Sequence, residues 1–200
     1  KIDIPLVNPF YNEEESVWIF FKEVVPVRNE NGRTFEIVCV NDGSRDSTLE
    51  KLLLAKKTIP QVRIINLSRN FGKEAALTAG LDHSTGEVIF PIDADLQDPP
   101  ELINEFLKKW QEGYDVVVGK RIDRSTDTFL KRFTARIFYK LHNKISDIEM
   151  PANVGDYRLM TRRVVESLKE LPENQRFMKG IFSWVGFKTA TVEYRSEERR

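Results

Sequence analysis

Short apolar runs alternate with helix-length amphipathic segments over the first 118 residues, and this alternation leaves few architectures open. Residues 2–7, 35–40, 61–67, 86–92 and 114–118 read as strands. After the first strand, the acidic residues Glu13, Glu14 and Glu15 open a helix that is expected to end near Val25 and Pro26. Its Val17, Trp18, Phe20, Phe21 and Val24 are expected to pack inward. Asp46 or Ser47 can cap a second helix running through Lys57, and residues 74–81 continue as a third. Residues 101–111 form a fourth, with Leu102, Ile103, Phe106, Leu107 and Trp110 on one face. Strand and helix alternating at this spacing predict an α/β chain, with a mostly parallel sheet and helices on both faces. The 200 residues fit one domain.

In open sheets of this kind, ligands sit beyond the carboxyl ends of the strands. The loops at those ends hold nearly all the unusual residues: Tyr11 and Glu13, Asp42, Arg69 and Lys73, then Asp93 and Asp95. The last pair closes the apolar run Val88-Ile89-Phe90-Pro91-Ile92 and precedes a diproline, Pro99-Pro100. Two close carboxylates repel each other, and a divalent cation relieves the repulsion. Mg2+ and Mn2+ prefer such oxygen ligands and typically share them with substrate phosphates. A solvated turn fits the same residues, because Asp is common in turns. The pair alone leaves both readings open.

Lys plus Arg and Asp plus Glu both number 31, so net charge gives no sign of a nucleic-acid partner. Local charge is uneven. Residues 120–144 carry eight basic side chains against two acidic ones, Asp123 and Asp127. Phe129, Leu130, Phe133, Ile137, Phe138, Leu141 and Ile145 recur there at helical spacing, between Lys131, Arg132, Arg136, Lys140 and Lys144. A basic amphipathic helix of this kind binds a membrane surface, or packs on the core with a solvated cationic face. Residues 153–160 predict a turn into a short strand, followed by a helix through Leu171, another around residues 177–184, and a last strand over 188–194. The single cysteine, Cys39, lies in the apolar run 37–40 and is expected to be a buried thiol, which suits a reducing compartment. No signal peptide is visible, and no stretch approaches about 18 consecutive apolar residues. A start without Met and an end at Glu197-Glu198-Arg199-Arg200 lead to the expectation of a trimmed fragment. Dinucleotide, P-loop and serine-hydrolase signatures are missing, and His83 and His142 have no neighbouring zinc ligands.

Five segments together resemble the inverting glycosyltransferases of family 2, with a GT-A fold. They are Pro9-Phe10-Tyr11-Asn12-Glu13-Glu14, Asn41-Asp42-Gly43-Ser44-Arg45-Asp46, Arg69-Asn70-Phe71-Gly72-Lys73-Glu74, Asp93-Ala94-Asp95-Leu96-Gln97-Asp98-Pro99 and Gly155-Asp156-Tyr157-Arg158-Leu159. Five in order over about 150 residues are specific, whereas one alone is weak. The set is similar to the polyprenyl-phosphate sugar transferases, such as dolichyl-phosphate mannose synthase. Residues 123–127 and 138–146 look closer still to bactoprenol glucosyltransferases. One departure is Asn8, where the family usually has an apolar residue before the Pro. It is expected to bear on packing of the first strand more than on chemistry.

The resemblance implies a single GT-A catalytic domain over 1–200, with a nucleotide-sugar-binding half (1–118) and an acceptor half (119–200). It implies that Pro9, Tyr11 and Glu13 line a uridine pocket and that Asp42 holds the base or ribose. Asp93 and Asp95, with Gln97, would hold Mg2+ or Mn2+ on the diphosphate, with Arg69 and Lys73 assisting the phosphates or pairing with nearby carboxylates. Arg199 matches a position that closes over the diphosphate. Arg121, Arg124, Lys131 and Arg132 are candidates for a lipid phosphate. Asp95 and Asp156 are the candidate catalytic residues, Asp156 as a base or positioning group for the acceptor.

The implied reaction moves a sugar, glucose in this reading, from a UDP-sugar to undecaprenyl phosphate with inversion. Its expected setting is the cytoplasmic face of a bacterial inner membrane, with membrane helices beyond this chain. The basic helix would meet lipid, a second subunit of a homo-oligomer, or both. The competing readings are a family 2 enzyme using GDP-mannose or a saccharide hydroxyl, and a non-catalytic nucleotide-binding, membrane-docking module.

Overall fold

The computed structural model describes residues 4–30, 34–94, 96, 98–121, 154–170 and 186–194, with the backbone alone for 27–30 and 154–156. The strands are β1 (Ile4–Phe10), β2 (Phe35–Asn41), β3 (Val62–Asn66), β4 (Val88–Pro91), β5 (Val116–Arg121), β6 (Val154–Thr161) and β7 (Thr189–Tyr194). They form one sheet in the order β3-β2-β1-β4-β6-β5-β7. The helices are α1 (Ser16–Glu30), α2 (Thr48–Thr58), α3 (Lys73–His83), α4 (Ile103–Gln111) and α5 (Arg162–Lys169). A 3-10 turn, Pro100–Leu102, leads into α4.

β1 pairs in parallel with both β2 and β4, and β2 pairs in parallel with β3. β6 runs antiparallel to its neighbours β4 and β5, and β7 is parallel to β5. Only β6 among the described strands is therefore reversed. The carboxyl ends of β1 to β4 share one edge of the sheet, and the amino end of β6 arrives at that same edge.

The central strands are buried on both faces, which explains the nearly continuous apolar runs in β1, β2 and β4. Alternate residues serve opposite layers. Leu6 and Phe10 join Phe20, Phe21, Leu52, Ile103 and Phe106 in the layer under α1, α2 and α4. Val7 joins Ala76, Leu81, Val164 and Leu168 under α3 and α5. α3 lies directly on the sheet at Gly80, where a Cβ would come within 2.4 Å of Val7 Cγ1. Cys39 is fully buried, and that burial pushes its thiol far above the ordinary range.

The first helix departs from expectation at both ends. The acidic triplet precedes α1 instead of opening it, because the Glu13 carbonyl accepts the Ser16 and Val17 N–H groups. α1 then continues past Pro26, which lies inside it. Four of its five expected core residues are buried, whereas Trp18 stays 45% exposed. The expected basic helix in the second half and the expected helix around 177–184 lie outside the described residues. Among the described residues, no helix is long and apolar enough to cross a membrane.

Candidate active site

The loops that follow β1, β2, β3 and β4 are tied to one another in sequence, each by side chains of the motifs noted above. Behind β1, Asn12 adopts a left-handed backbone (φ 52°). Its N–H donates to Ser44 Oγ at 3.0 Å, and its Oδ1 accepts from the Arg45 N–H at 2.9 Å. Glu13 N–H donates to Thr48 Oγ1 at 2.9 Å, and Glu14 Oε2 accepts from Ser47 N–H at 3.0 Å. Asp46 accepts from Glu14 N–H and from both the N–H and the hydroxyl of Thr48. The largest single influence on its carboxyl, desolvation, raises it. Hydrogen bonds from Thr48 and Glu14 outweigh that and hold it below the usual range.

The loop after β2 reaches the loop after β3 through Asp42, which is 2% exposed. Its two oxygens accept the N–H groups of Phe71 (2.8 Å) and Gly72 (2.9 Å), just before the amino end of α3. α3 opens with Lys73, whose Nζ meets Asp93 Oδ2 at 2.8 Å in the loop after β4. Pro9, Tyr11, Glu13, Asp42, Lys73 and Asp93 thereby line one open cleft of about 310 Å³, together with Phe10, Asn70 and Ala94. Six of the residues singled out in the sequence are brought together in this way. Arg69 is not: it is exposed, with its guanidinium 4.8 Å from the ring centroid of Phe71. Lys73 follows the carboxylate-pairing alternative.

The remaining candidates divide simply. Arg121 ends β5 and is partly buried. The backbone of Asp156 lies in β6, near the end that meets the Asp93 edge, while its side chain falls outside the description. Asp95, Gln97, Arg124, Lys131, Arg132 and Arg199 lie outside the described residues.

A second, much smaller cavity of about 30 Å³ adjoins the cleft and shares Pro9, Lys73 and Asp93 with it. Its other walls include Glu74, Asp98, Tyr157 and the buried charge of Arg158, none of which received a role from the sequence. Tyr157 donates its hydroxyl to the Pro99 carbonyl at 2.8 Å, and Tyr194 donates its hydroxyl to the Asp98 carboxylate. The Tyr157 ring sits edge-on among Phe90, Phe106 and Tyr194. Burial, then the nearby Asp98 charge, pushes its phenol well above the usual range. These tyrosines anchor the far end of the segment that begins at Asp93. Tyr157 lies in the quoted 155–159 motif, which was the available signal for it, whereas Tyr194 was read only as the end of the last strand.

The oxygen chemistry fits a hard divalent cation. The Asp93 carboxylate is 37% exposed to the cleft and already takes a cation, the Lys73 ammonium, on one oxygen. Among the described residues, no three His, Cys, Asp or Glu side chains gather as a metal cluster. The described part of the site thus supplies Asp93, and the other two expected ligands belong to the undescribed positions.

Comparison with known proteins identifies the family and the fold. The chain is 54% identical over 196 residues to the prophage bactoprenol glucosyl transferase homolog of Escherichia coli (strain K12), across 98% of this chain and 64% of that protein. The chain spans less than two thirds of the length of the curated relatives it matches first. Glucosyl-3-phosphoglycerate synthase from Mycobacterium tuberculosis, in complex with UDP, superposes with a TM-score of 0.68 at 18% identity, over 100% of this chain and 72% of that one. The mannosyltransferase PcManGT from Pyrobaculum calidifontis, in complex with GDP-Man and Mn2+, superposes with a TM-score of 0.67 at 19% identity, over 98% and 57%. These two likenesses establish the fold as GT-A. The glycosyl transferase family 2 profile matches residues 6–169, from within β1 to the last residue of α5, and the chain belongs to that family.

Proposed function

We propose that this chain is the catalytic portion of an inverting glycosyltransferase that moves glucose from UDP-glucose to undecaprenyl phosphate. The observation that carries the reading is the convergence of Asp42, Lys73 and Asp93, from separate strand-end loops, on one open cleft of a family 2 chain. The choice of acceptor and sugar draws support from the E. coli relative, whose name specifies a bactoprenol glucosyl transferase.

In this reading the uridine lies against Pro9, Tyr11 and Glu13. Asp42 holds the 71–72 backbone and has lone pairs left for a base or ribose donor. Asp93, Asp95 and Gln97 would hold Mg2+ or Mn2+, which offsets charge on the departing diphosphate. A neighbour of the same fold was solved in complex with GDP-Man and Mn2+, which supports the cation. Arg199 would close over the diphosphate. Arg121, Arg124, Lys131 and Arg132 would pair with the acceptor phosphate. An oxygen of that phosphate attacks the anomeric carbon on the face opposite UDP. The bond from that carbon to the diphosphate oxygen breaks, UDP leaves with the electron pair, and the anomeric configuration inverts. A phosphate monoester has a second pKa of about 6, so it attacks without a strong base. Asp156 then serves mainly to orient it. The proposed setting is the cytoplasmic face of a bacterial inner membrane, with a homo-oligomer as the arrangement that size-exclusion would detect.

The test is calorimetric titration of wild type and Asp93→Asn with UDP-glucose, UDP-N-acetylglucosamine and GDP-mannose, each with and without Mn2+. The expected result is Mn2+-dependent binding of UDP-glucose, weakened at least about tenfold in the variant. A preference for GDP-mannose would overturn the glucosyl assignment. Equal binding by Asp93→Asn would remove the cation role.

A further inference from the structure

We propose that Asn8 is a positioning residue for Asp93: its side-chain amide replaces the backbone donor that Pro9 lacks and thereby fixes the peptide from which Asp93 projects. The inference rests on the reading of Asp93 as a cation ligand.

The argument starts from the ladder between β1 and β4, where Leu6 lies beside Phe90 and Val7 beside Pro91. The Ile92 N–H donates to the Val7 carbonyl at 2.9 Å. Rungs of a parallel ladder recur every two residues, so the next one would run from the N–H of residue 9 to the Ile92 carbonyl. Residue 9 is proline and has no N–H. Asn8 Nδ2 donates to that same carbonyl at 2.8 Å instead.

The position of Asn8 makes this more than a packing detail. It shares the period-2 face of Leu6 and Phe10, which is the apolar layer that also holds Ile92. Asn8 is fully buried there, and its Oδ1 has no hydrogen-bond partner. An orphaned acceptor in an apolar layer is unfavourable, and an apolar side chain of equal size would avoid it. What the amide does is hold the Ile92 carbonyl. The next residue is Asp93, with its carboxylate at the mouth of the cleft. A released Ile92 carbonyl would turn to find another donor, rotating the 92–93 peptide and the carboxylate with it. Tyr157 holds the Pro99 carbonyl at the other end of the same segment. Asn8 and Tyr157 thus pin the cation-ligand segment from both sides.

The experiment compares wild type, Asn8→Leu, Asn8→Ala and the double variant Asn8→Leu/Pro9→Ala. Leu has the same number of side-chain heavy atoms and the same branch point as Asn and donates nothing, Ala removes the amide without adding bulk, and Ala at position 9 restores the backbone donor. Amide hydrogen exchange is read over residues 92–98 without metal, and Mn2+ affinity is read by electron paramagnetic resonance. The single variants are expected to exchange about tenfold faster over that segment, and to bind Mn2+ about tenfold more weakly, the factor a single hydrogen bond of ordinary net strength supplies. Peptides from α2 and β3 should exchange as in wild type, which a general loss of stability would not allow. The double variant should return both readouts to wild-type values. Wild-type behaviour in the single variants overturns the proposal, as does a double variant that stays as loose as Asn8→Leu. Should Asn8→Leu fail to fold, Asn8→Ala and the double variant decide by the same criteria. If wild type takes up no Mn2+, the cation reading of Asp93 falls, and exchange alone decides the role of Asn8.

Discussion

Asp42 and Gly43 show how two adjacent residues can organise a site by different physics. Asp42 draws the 71–72 backbone inward with two charge-assisted hydrogen bonds. Gly43 lets the same loop come close. Its φ is +65°, and a Cβ there would lie 2.2 Å from the Arg69 carbonyl carbon and 2.4 Å from the Asn70 nitrogen. Both atoms are backbone, so no rotamer change can relieve the overlap. Gly43→Ala is expected to destabilise the fold by about 2–4 kcal/mol, combining left-handed strain with overpacking. Urea denaturation reads the loss, and a value well below that range would mean that the two loops are not packed this closely. The Asn-Asp-Gly-Ser turn was legible as a turn with a carboxylate at a strand end. Its partner loop was not, because Phe71 is 29 residues away and offers only a backbone N–H, a donor that every residue but proline has.

Among the elements, α1 gives the sharpest contrast between sequence and structure. Proline discourages a helix at its own position, so an end near Pro26 was the natural expectation. α1 instead keeps going, held by Val17, Phe20, Phe21 and Val24, all buried against the sheet. Tertiary burial outweighs one missing rung. Pro26 is exposed, so Pro26→Ala restores the i→i−4 donor without disturbing the core. It is expected to raise stability by about 1–2 kcal/mol, the helix gain being partly offset by the freer unfolded chain. A thermal melt of the variant checks this, and an unchanged or lower midpoint would show that the Pro26 turn is already relieved by other means. The strands were easier to place, since burial on both faces writes itself into the sequence as an unbroken apolar run.

Across the whole molecule, the two ends of the sheet do different work. The carboxyl end gathers the cleft. The amino end is closed by Glu36, which is 6% exposed. Glu36 accepts from Arg63 at 3.2 Å and from the N–H and hydroxyl of Thr85 at 3.2 and 3.3 Å, tying β2 and β3 to the loop before β4. Removing this buried carboxylate breaks its charge-assisted hydrogen bonds to Arg63 and Thr85 at the end away from the cleft. Glu36→Ala is expected to lower stability by about 1–3 kcal/mol while leaving UDP-glucose affinity at its wild-type value. Denaturation and calorimetry on the same sample separate the two effects, and a parallel loss of affinity would show that strain crosses the sheet.

The α/β class, the parallel strands and the strand-end location of the site follow from the sequence alone, because burial period and loop chemistry are local properties of the chain. Recognition of the family was also available there, since ordered motifs survive as contiguous residues. Tertiary structure alone decided which partners those motifs took. Asp42 was read as a nucleotide contact, and both its oxygens accept from the loop after β3. Asn8 was expected to matter for packing, and its amide instead reaches a carbonyl 84 residues away in the chain. Hydrogen bonds between distant segments depend on sheet register. A register is the outcome of packing the whole core, so no window of sequence contains it.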